Sequence, residues 1–220
     1  MIHVVLTDIE GTTTSIEFVH QVLFPYAAAA MPEFLAENAE NPRIRALLAQ
    51  LSAETGATGL PALNGQLQTW IREDLKHPVL KALQGVIWQK GYQLKKYQAH
   101  VYPDVAPALQ RWRSAGQLLY VYSSGSVAAQ KLLFEHSVAG DLTPLFSGYF
   151  DTSAGSKREA SAYAHIARCI GRLPGEILFL SDIEAELDAA AQTGMATLQL
   201  VRENTAASNR HRTASSFAEI

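Results

Sequence analysis

The sequence contains only one cysteine, Cys169, so no disulfide can form within the chain. A chain without internal disulfides suits a reducing compartment, and we therefore expect a cytoplasmic protein. Cys169 is expected to pack in a helix as a small apolar residue. The seven histidines form no HxH or HExxH pattern, and the lack of both patterns argues against a zinc site.

The chain also lacks an excess of basic residues, because 18 lysines and arginines face 21 acidic residues and give a net charge of −3. This balance predicts no nucleic acid partner and no membrane partner. No apolar run approaches the ~20 residues that cross a bilayer, and the N-terminus leads into a predicted strand rather than a signal peptide. What remains is a globular composition, 48% hydrophobic over 220 residues, sufficient for one substantial core and a smaller subdomain.

The first candidate functional residues follow a short apolar run near the start of the chain. Residues 4–7 are Val-Val-Leu-Thr, and Asp8, Glu10 and Gly11 come soon after them. This pattern is typical of a buried strand that runs into a tight turn. In an open parallel α/β sheet, ligands bind beyond the carboxyl ends of the strands, where Asp8 and Glu10 would lie. Taken alone, such a pattern is more often a strand end with solvated acids and a helix N-cap.

An alternation of strands and helices fills the second half of the chain. Apolar runs predict four further strands, at 118–122, 149–151, 177–180 and 196–201. Helical patterns accompany them at 105–114, 127–136, 158–170 and 184–192. This alternation predicts an α/β fold with a parallel sheet covered on both faces. The polar tail from Arg202 is expected to cap this domain.

Between Phe18 and Gln98 the sequence has no convincing strand. Apolar residues at a spacing of three and four predict helices at 16–35, 44–53, 63–75 and 79–94, with a loop at 55–61. We therefore expect a helical insertion at 18–98 that follows the first strand. The main domain would consist of residues 1–17 and 99–220.

Polar clusters follow several predicted strands, or lie where loops return to the same edge of the sheet: Asp8 with Glu10, Ser123 with Ser124, Lys157, and Asp182. Each cluster alone has a simpler explanation. Ser124 or Ser126 can be a helix N-cap, Lys157 a solvated lysine, and Asp182 an N-cap or a solvated loop acid. Together, on one edge of one sheet, they predict a site for phosphoryl transfer.

Phosphoryl transfer requires this mixture of side chains. A carboxylate such as Asp8 can attack phosphorus and form an aspartyl-phosphate. Mg²⁺ requires hard oxygen ligands, for which Asp8 and Asp182 are candidates, and the anionic phosphoryl group needs donors such as Ser123 and Lys157. A second carboxylate near the leaving oxygen, here Glu10, acts first as an acid and then as a base toward water.

These residues resemble the haloacid dehalogenase (HAD) superfamily of aspartate-nucleophile phosphatases. The family pattern is Asp-x-Asp-Gly-Thr, then a strand-end Ser or Thr, then Lys, then Asp followed by another acid. The corresponding residues here are Asp8 to Thr12, Ser123, Lys157, and Asp182 with Glu186. The departure is Glu10, where most members have Asp. Its longer side chain moves the carboxyl group by about one methylene, so the geometry of proton transfer must differ.

The departure at Glu10 indicates one branch, which the chain resembles over nearly its whole length, from about Val4 to Arg202. This branch is the enolase-phosphatases of methionine salvage, also called acireductone synthases. The segments that carry the resemblance are 8–16, Phe18-Val19, Phe24-Pro25-Tyr26, 100–105, 122–126, 148–151 and 179–182.

The resemblance implies a Rossmann-like core of the HAD type with a helical cap inserted after the first strand. It also implies a bifunctional, monomeric enzyme that requires one Mg²⁺ per chain. The substrate would be 2,3-diketo-5-methylthiopentyl-1-phosphate, a phosphorylated diketone that is first enolised and then dephosphorylated to an acireductone. The implied ligands are Asp8, the Glu10 backbone carbonyl and Asp182 for the metal, and Ser123, Ser124 and Lys157 for the phosphate.

Some choices stay open on the sequence alone. Glu10 is the first candidate to move the C1 proton, and a cap residue is the alternative. The chain can also be a HAD phosphatase for another small ester, such as phosphoglycolate or a sugar phosphate, since the core motifs alone do not exclude it. A receiver-like signalling domain uses a similar Asp, Ser or Thr, Lys and Mg²⁺, but is about half this length and lacks a large cap. The last alternative is an inactive HAD scaffold, although no essential motif is missing.

Overall fold

A computed structural model describes residues 1–203 and 205–220 of the chain. These residues divide into two compact units, a sheet unit formed by 1–16 and 99–220 and a helical unit formed by 17–98. Asn204 belongs to the predicted polar tail and lies outside the described residues. None of the helices in the described ranges combines the length and the apolar character that crossing a bilayer requires.

The sheet unit contains six strands, and every neighbouring pair is parallel. The strands are β1 (Val4–Thr7), β2 (Leu118–Tyr122), β3 (Gly148–Phe150), β4 (Ile177–Ser181), β5 (Ala196–Leu200) and β6 (Arg212–Ala214). Their order in the sheet is β3-β2-β1-β4-β5-β6. Val4 of β1 is paired with both Leu118 and Ile177. The carboxyl ends of β1, β2 and β4 therefore meet at one edge, where ligands bind in sheets of this kind.

The α-helices of the described chain are α1 (Ile16–Phe18), α2 (Phe24–Asn38), α3 (Pro42–Thr55), α4 (Gly59–Arg72), α5 (Pro78–Gln93), α6 (Val105–Ser114), α7 (Val127–Glu135), α8 (Ala160–Ile170) and α9 (Glu184–Ala191). In the sheet unit, Ile166 of α8 and Leu187 of α9 form an apolar core with Val4, Leu6 and Phe179 of the sheet. Because side chains alternate along a strand, Val5 faces the opposite side of the sheet from Val4 and Leu6.

The helical unit is built from α2 to α5 around an apolar core. Met31, Leu51, Leu67 and Leu83, one from each helix, are fully buried in this core. The start of α3 is fixed by Asn41, whose side chain accepts the first free N–H groups of the helix. Packing of apolar faces, together with such caps, accounts for this unit.

The predicted fold class is confirmed: the protein is α/β, with a parallel sheet and a helical segment after the first strand. The predicted bounds of β2 and α6 are those observed. The predicted loop at 55–61 is partly wrong, because α4 begins at Gly59. Pro61 lies in the first turn of α4, where a missing N–H costs no helical hydrogen bond. The helix ends at Arg72 rather than Leu75, because Asp74 has a positive φ of 50°.

The single helix predicted at 16–35 is also only partly right. A π-helical turn, Val19–Leu23, separates α1 from α2, which continues to Asn38. The carbonyl of Leu23 accepts a hydrogen bond from Trp88 Nε1 at 2.9 Å. Pro25 lies in the first turn of α2, where proline is tolerated. Hydrophobic spacing alone does not distinguish such a wide turn from an α-helix.

The sheet unit contains one strand that the sequence did not predict and one residue, Cys169, whose predicted burial is wrong. The tail after Arg202 contributes a strand, β6, which pairs with β5 in parallel. Only the last of its three residues, Ala214, is buried, so the strand has no apolar run to reveal it. Cys169 lies on α8 but is exposed, and its Sγ is 3.4 Å from Nε2 of His165, one turn earlier. Its helical position was predicted correctly, but its place in the core was not.

Candidate active site

The turn after β1 is closed by its own backbone. Asp8 begins the turn: its N–H donates to the Leu180 carbonyl of β4 at 2.9 Å, and the residue is only 3% exposed. The N–H groups of residues 12–14, all threonines, donate to the Ile9 carbonyl at 3.1, 2.8 and 3.0 Å. A turn closed in this way limits the directions that Asp8 and Glu10 can take at the end of the strand.

Gly11 allows this turn to lie directly against Asp182. Its φ of +74° lies in the left-handed region, which glycine adopts without strain. A Cβ at this position would collide with the Asp182 carboxyl group. The Asp182 N–H also donates to Thr12 Oγ1 at 3.0 Å. The turns that follow β1 and β4 are therefore joined, with Asp8 and Asp182 at the ends of neighbouring strands.

Lys157 connects two buried carboxylates. Its Nζ lies 2.5 Å from Asp8 Oδ1 and 2.7 Å from Glu186 Oε2, and its side chain is only 10% exposed. The same Glu186 oxygen, Oε2, also accepts a hydrogen bond from Ser181 Oγ at 3.0 Å. The structure thus brings the predicted site residues Asp8 and Lys157 into direct contact, and Glu186 joins them.

The cluster carries more negative than positive charge, and the acid pKa values respond to this. Burial has the largest influence on Asp8 and raises its pKa well above the usual value; Lys157 opposes this effect, while Glu186 and Glu10 add to it. Burial also raises the pKa of Asp182, to about 6. For Lys157, burial would lower the pKa, but Asp8 and Glu186 raise it further than burial lowers it. Lys157 therefore stays charged, and a further positive charge would favour ionised Asp8 and Asp182.

Glu10 and Ser123 meet across the ends of β1 and β2. Ser123 is fully buried, and its Oγ donates to Glu10 Oε2 at 3.1 Å. Ser123 Oγ also accepts a hydrogen bond from the Gly125 N–H at 3.1 Å. The Ser123 hydroxyl therefore orients the Glu10 carboxyl group rather than capping a helix.

The remaining serines of this turn have different surroundings. Ser126 is the N-cap of α7, because its Oγ accepts a backbone N–H from the first turn of that helix at 3.3 Å. Ser124 is half-buried in the turn between Ser123 and the helix. The buried Gln130 stabilises this turn by donating to the Gly125 carbonyl at 2.7 Å. The simpler N-cap explanation therefore applies to Ser126.

Sequence reasoning missed several buried side chains that hold these turns in place: Thr12, Tyr122, Gln130, Tyr163 and Gln199. Gln199 is an example, because its Nε2 donates to the Asp182 carbonyl at 2.9 Å from the interior of β5. A glutamine within an otherwise apolar strand is a visible signal in the sequence. The identity of its partner is not, since Asp182 lies on another strand end.

These residues fit a hard divalent cation. Asp182 Oδ1 is buried and has no hydrogen-bond partner among the described residues. Within 1–203 and 205–220, no three His, Cys, Asp or Glu side chains form a ligand cluster by themselves. A cation here would therefore take only one or two carboxylates and complete its shell with backbone carbonyl, water or substrate oxygens. Mg²⁺ is commonly bound in this way.

Comparison with known proteins identifies the family of this chain. A family model described as haloacid dehalogenase-like hydrolase matches residues 2–194. Enolase-phosphatase E1 of Pseudomonas aeruginosa (strain UCBPP-PA14) is 52% identical over 221 residues, which cover 100% of this chain and 98% of that protein. Enolase-phosphatase E1 of Stenotrophomonas maltophilia (strain K279a) is 55% identical over 195 residues, which cover 88% of this chain and 84% of that protein.

Among solved structures, the UTR4 protein of Saccharomyces cerevisiae is similar over 100% of both chains, with a TM-score of 0.86 and 34% identity. The family model and these relatives thus match over nearly the entire chain. The chain belongs to the haloacid dehalogenase-like hydrolases and, among them, to the enolase-phosphatase E1 family.

Proposed function

We propose that this protein is a bifunctional, Mg²⁺-dependent enolase-phosphatase of methionine salvage. It converts 2,3-diketo-5-methylthiopentyl-1-phosphate to the acireductone 1,2-dihydroxy-3-keto-5-methylthiopentene and phosphate. The enolase-phosphatase E1 relatives, about half identical over the chain, support this substrate. The observation that carries the phosphatase chemistry is the contact of Lys157 Nζ with Asp8 at 2.5 Å and with Glu186 at 2.7 Å.

In this proposal Asp8 is the nucleophile. One of its oxygens attacks phosphorus, and the bond between phosphorus and the C1 oxygen breaks, which leaves an aspartyl-phosphate. Glu10 donates a proton to the leaving oxygen. Glu10 then takes a proton from a water molecule that attacks the aspartyl-phosphate, so phosphate leaves and Asp8 is regenerated. The Ser123 hydroxyl, 3.1 Å from Glu10 Oε2, supports this assignment because it fixes the carboxyl group that moves both protons.

Enolisation precedes phosphate release. It requires a base near C1 and stabilisation of the charge that develops on the carbonyl oxygen. Glu10 is the candidate for this base as well, since its carboxyl group contacts Ser123 at 3.1 Å. Ser123, together with Ser124 and Lys157, would hold the phosphate. Binding the phosphate there would bring C1, which carries it, close to Glu10.

Asp8, Asp182 and the Glu10 carbonyl would hold the Mg²⁺. When bound, the ion would supply positive charge that favours the ionised carboxylates and stabilises the phosphoryl oxygens. The buried, unpartnered Oδ1 of Asp182 supports this assignment among the described residues. We further assign 1–17 and 99–220 as the phosphatase core and 18–98 as its cap, in a monomeric cytoplasmic enzyme.

The proposal is tested by following two signals in one cuvette containing enzyme, diketo-phosphate and Mg²⁺. Enol absorbance reports the first step, and released phosphate reports the second. We expect the enol to rise before phosphate, and both signals to disappear with a chelator and return when Mg²⁺ is restored. The matched control is the same reaction with an aryl phosphate, which has no carbonyl group to enolise.

Three results would contradict the proposal in different ways. Hydrolysis of simple phosphate esters without action on the diketone would leave a HAD phosphatase of another specificity. Uptake of one phosphoryl group per chain without turnover would favour the receiver-like alternative. Enol formation that persists in full with a chelator would refute the assigned metal dependence.

A further inference from the structure

Lys157 lies outside the regular elements of the fold. It belongs to the connection 151–159 between β3 and α8, which contains a short 3₁₀ turn, Thr152–Ala154, and one further turn in which Glu159 N–H donates to the Ser156 carbonyl at 3.0 Å. The sequence predicted a helix from Arg158, but α8 begins at Ala160. Neither a strand ladder nor a helix therefore fixes the backbone that carries this catalytic ammonium group.

Two buried tyrosine hydroxyls bind this backbone at positions 155 and 157. Tyr122 OH, from the end of β2, donates to the Gly155 carbonyl at 2.9 Å. Tyr163 OH, from α8, donates to the Lys157 carbonyl at 2.8 Å. Both tyrosines are fully buried, and their rings pack edge to face with centroids 5.5 Å apart.

Each of the two tyrosine rings makes a further contact within the sheet unit. Tyr163 makes a second edge contact with Phe179 of β4, at 5.0 Å between centroids. The face of Tyr122 also lies 5.8 Å from Lys157 Nζ, within the range of a cation–π contact. Strand β2 and helix α8 are thus joined to the connection that carries Lys157 by the hydroxyl groups of Tyr122 and Tyr163.

Both hydroxyls remain donors under working conditions. Burial raises the pKa of Tyr122 to about 12, and Lys157 only partly opposes this effect. Burial raises the pKa of Tyr163 further. Each carbonyl therefore accepts a hydrogen bond from a protonated tyrosine hydroxyl at neutral pH.

We propose that Tyr122 and Tyr163 are positioning residues, which hold the backbone around Lys157 so that its ammonium group meets the transferring phosphoryl group. This inference rests on the proposed phosphatase function and adds two residues to it. An ammonium group displaced by a fraction of an ångström still neutralises Asp8, but it no longer matches the charge distribution of the transition state. Loss of either hydroxyl should therefore reduce turnover more than substrate binding.

The test uses Tyr122→Phe and Tyr163→Phe in the full-length protein. Each change keeps the ring and removes one oxygen. The matched control is Tyr149→Phe, because Tyr149 OH is also buried but has no hydrogen-bond partner among the described residues. The measurements are kcat and KM, the inhibition constant of vanadate, which mimics the phosphoryl transition state, and the melting temperature.

We expect each variant to lose about tenfold in kcat, with KM changed by less than about twofold. The vanadate inhibition constant should rise in parallel with the loss of kcat. The double variant should lose less than the product of the two single losses, because both hydroxyls hold the same connection. Tyr149→Phe should leave kcat and vanadate inhibition unchanged.

A purely structural role predicts a different result. In that case the melting temperature falls because a buried carbonyl loses its donor, while kcat and vanadate inhibition keep their wild-type values. That pattern in both variants would overturn the proposal. Equal losses in Tyr149→Phe would overturn it as well, since they would trace the effect to any hydroxyl removed from this region.

Failure of the proposed function is recognised separately by using two esters. If an aryl phosphate is hydrolysed and the diketo-phosphate is not, the proposed substrate is wrong, and the tyrosine effects are measured on the aryl phosphate. If neither ester is hydrolysed, the measurement becomes the rise in melting temperature produced by vanadate with Mg²⁺. A wild-type rise in both tyrosine variants would then contradict the positioning role.

Discussion

The helical unit and the sheet unit bury different kinds of side chain. Among residues 17–98, all of which the structure describes, Gln84 is the only buried residue whose side chain is neither apolar nor aromatic. The sheet unit instead buries Asp8 and Glu186 with Lys157 between them. Charged groups are costly to bury even when paired. The comparison indicates that packing dominates the helical unit, whereas the sheet unit keeps an electrostatically costly cluster, which the proposed phosphoryl transfer would require.

The cost of burying charged groups in the sheet unit is visible in the pKa values of Asp8 and Asp182. Burial raises the pKa of Asp8 and of Asp182, because water no longer stabilises their charged forms. A metal ion and a bound phosphate would change the pKa values of these two acids. They would not change the apolar packing of the helical unit. Substitutions in the two units should therefore differ in what they damage: turnover in the sheet unit, and stability in the helical unit.

The largest effect is expected for Asp8→Asn. Removing the nucleophilic oxygen should lower phosphate release by at least about a thousandfold, because the remaining residues bind the phosphoryl group but cannot form the covalent intermediate. The fold should persist, since asparagine has nearly the same shape and Lys157 keeps Glu186 as its partner at 2.7 Å. Phosphate release and the melting temperature are the two measurements. Release at the wild-type rate would refute the nucleophile assignment.

The next effect is on stability and lies in the helical unit. Leu67→Ala removes a fully buried side chain and should reduce the free energy of unfolding of this unit by about 2–5 kcal/mol. Leu75→Ala is the matched control, because Leu75 is 43% exposed and the same change there should cost less than about 0.5 kcal/mol. Urea unfolding followed by circular dichroism measures both. Similar costs for the two variants would contradict a core centred on Leu67.

A smaller effect concerns the charged cluster and its pH dependence. The pKa of Asp182 is about 6 in the folded protein, compared with 3.8 for an unperturbed Asp. Well below pH 4 the group is protonated in both states, so stability carries no penalty from it. Between about pH 4 and pH 6 the unfolded chain loses this proton while the folded protein keeps it, so stability falls as pH rises, and above about pH 6 the loss is complete because the folded protein holds a buried negative charge. The expected loss is about 1–3 kcal/mol for the metal-free protein.

Asp182→Asn isolates this contribution. The variant has no group to titrate at this position, whereas the other carboxyl groups titrate in both proteins. The difference in unfolding free energy, wild type minus variant, should therefore fall between pH 4 and pH 7 with chelator present. Adding Mg²⁺ should reverse the fall only in the wild type, by mass action. A pH-independent difference would indicate that Asp182 is not buried at a cost.

The fold was predictable where local patterns carried the information. The strands β1, β2, β4 and β5 are apolar runs bounded by Gly, Ser or Asp, and such runs reveal buried strands. β6 was not predictable, because two of its three residues are exposed and its strand character depends on pairing with β5. The π turn Val19–Leu23 has the same hydrophobic spacing as a helix, and spacing was the only signal available.

The position of the candidate site residues at one edge of the sheet was predictable, but their contacts were not. Asp8, Ser123 and Asp182 follow strand ends, so a parallel sheet must bring them to one edge. The sequence does not reveal that Lys157 bridges Asp8 and Glu186, since this contact depends on the path of an irregular connection. Hydrogen bonds such as Tyr163 to Lys157 join residues that only the tertiary fold brings together.

The smallest effect is expected for Cys169→Ser, and it tests the corrected position of this residue. If Cys169 lay in the core, replacing it with serine would lower the free energy of unfolding more than at an exposed position, because the new hydroxyl would be buried without a partner. Cys169 is exposed on α8, and its sulfur lies 3.4 Å from Nε2 of His165. The substitution should therefore change the free energy of unfolding by less than about 0.5 kcal/mol. Reaction of the native protein with a thiol reagent supplies the second measurement: one thiol should react at the rate of the unfolded chain. A thiol that does not react, together with a decrease in the free energy of unfolding above about 1 kcal/mol, would show that Cys169 is buried in the core. The contrast between exposed and buried positions on α8 would then not include Cys169.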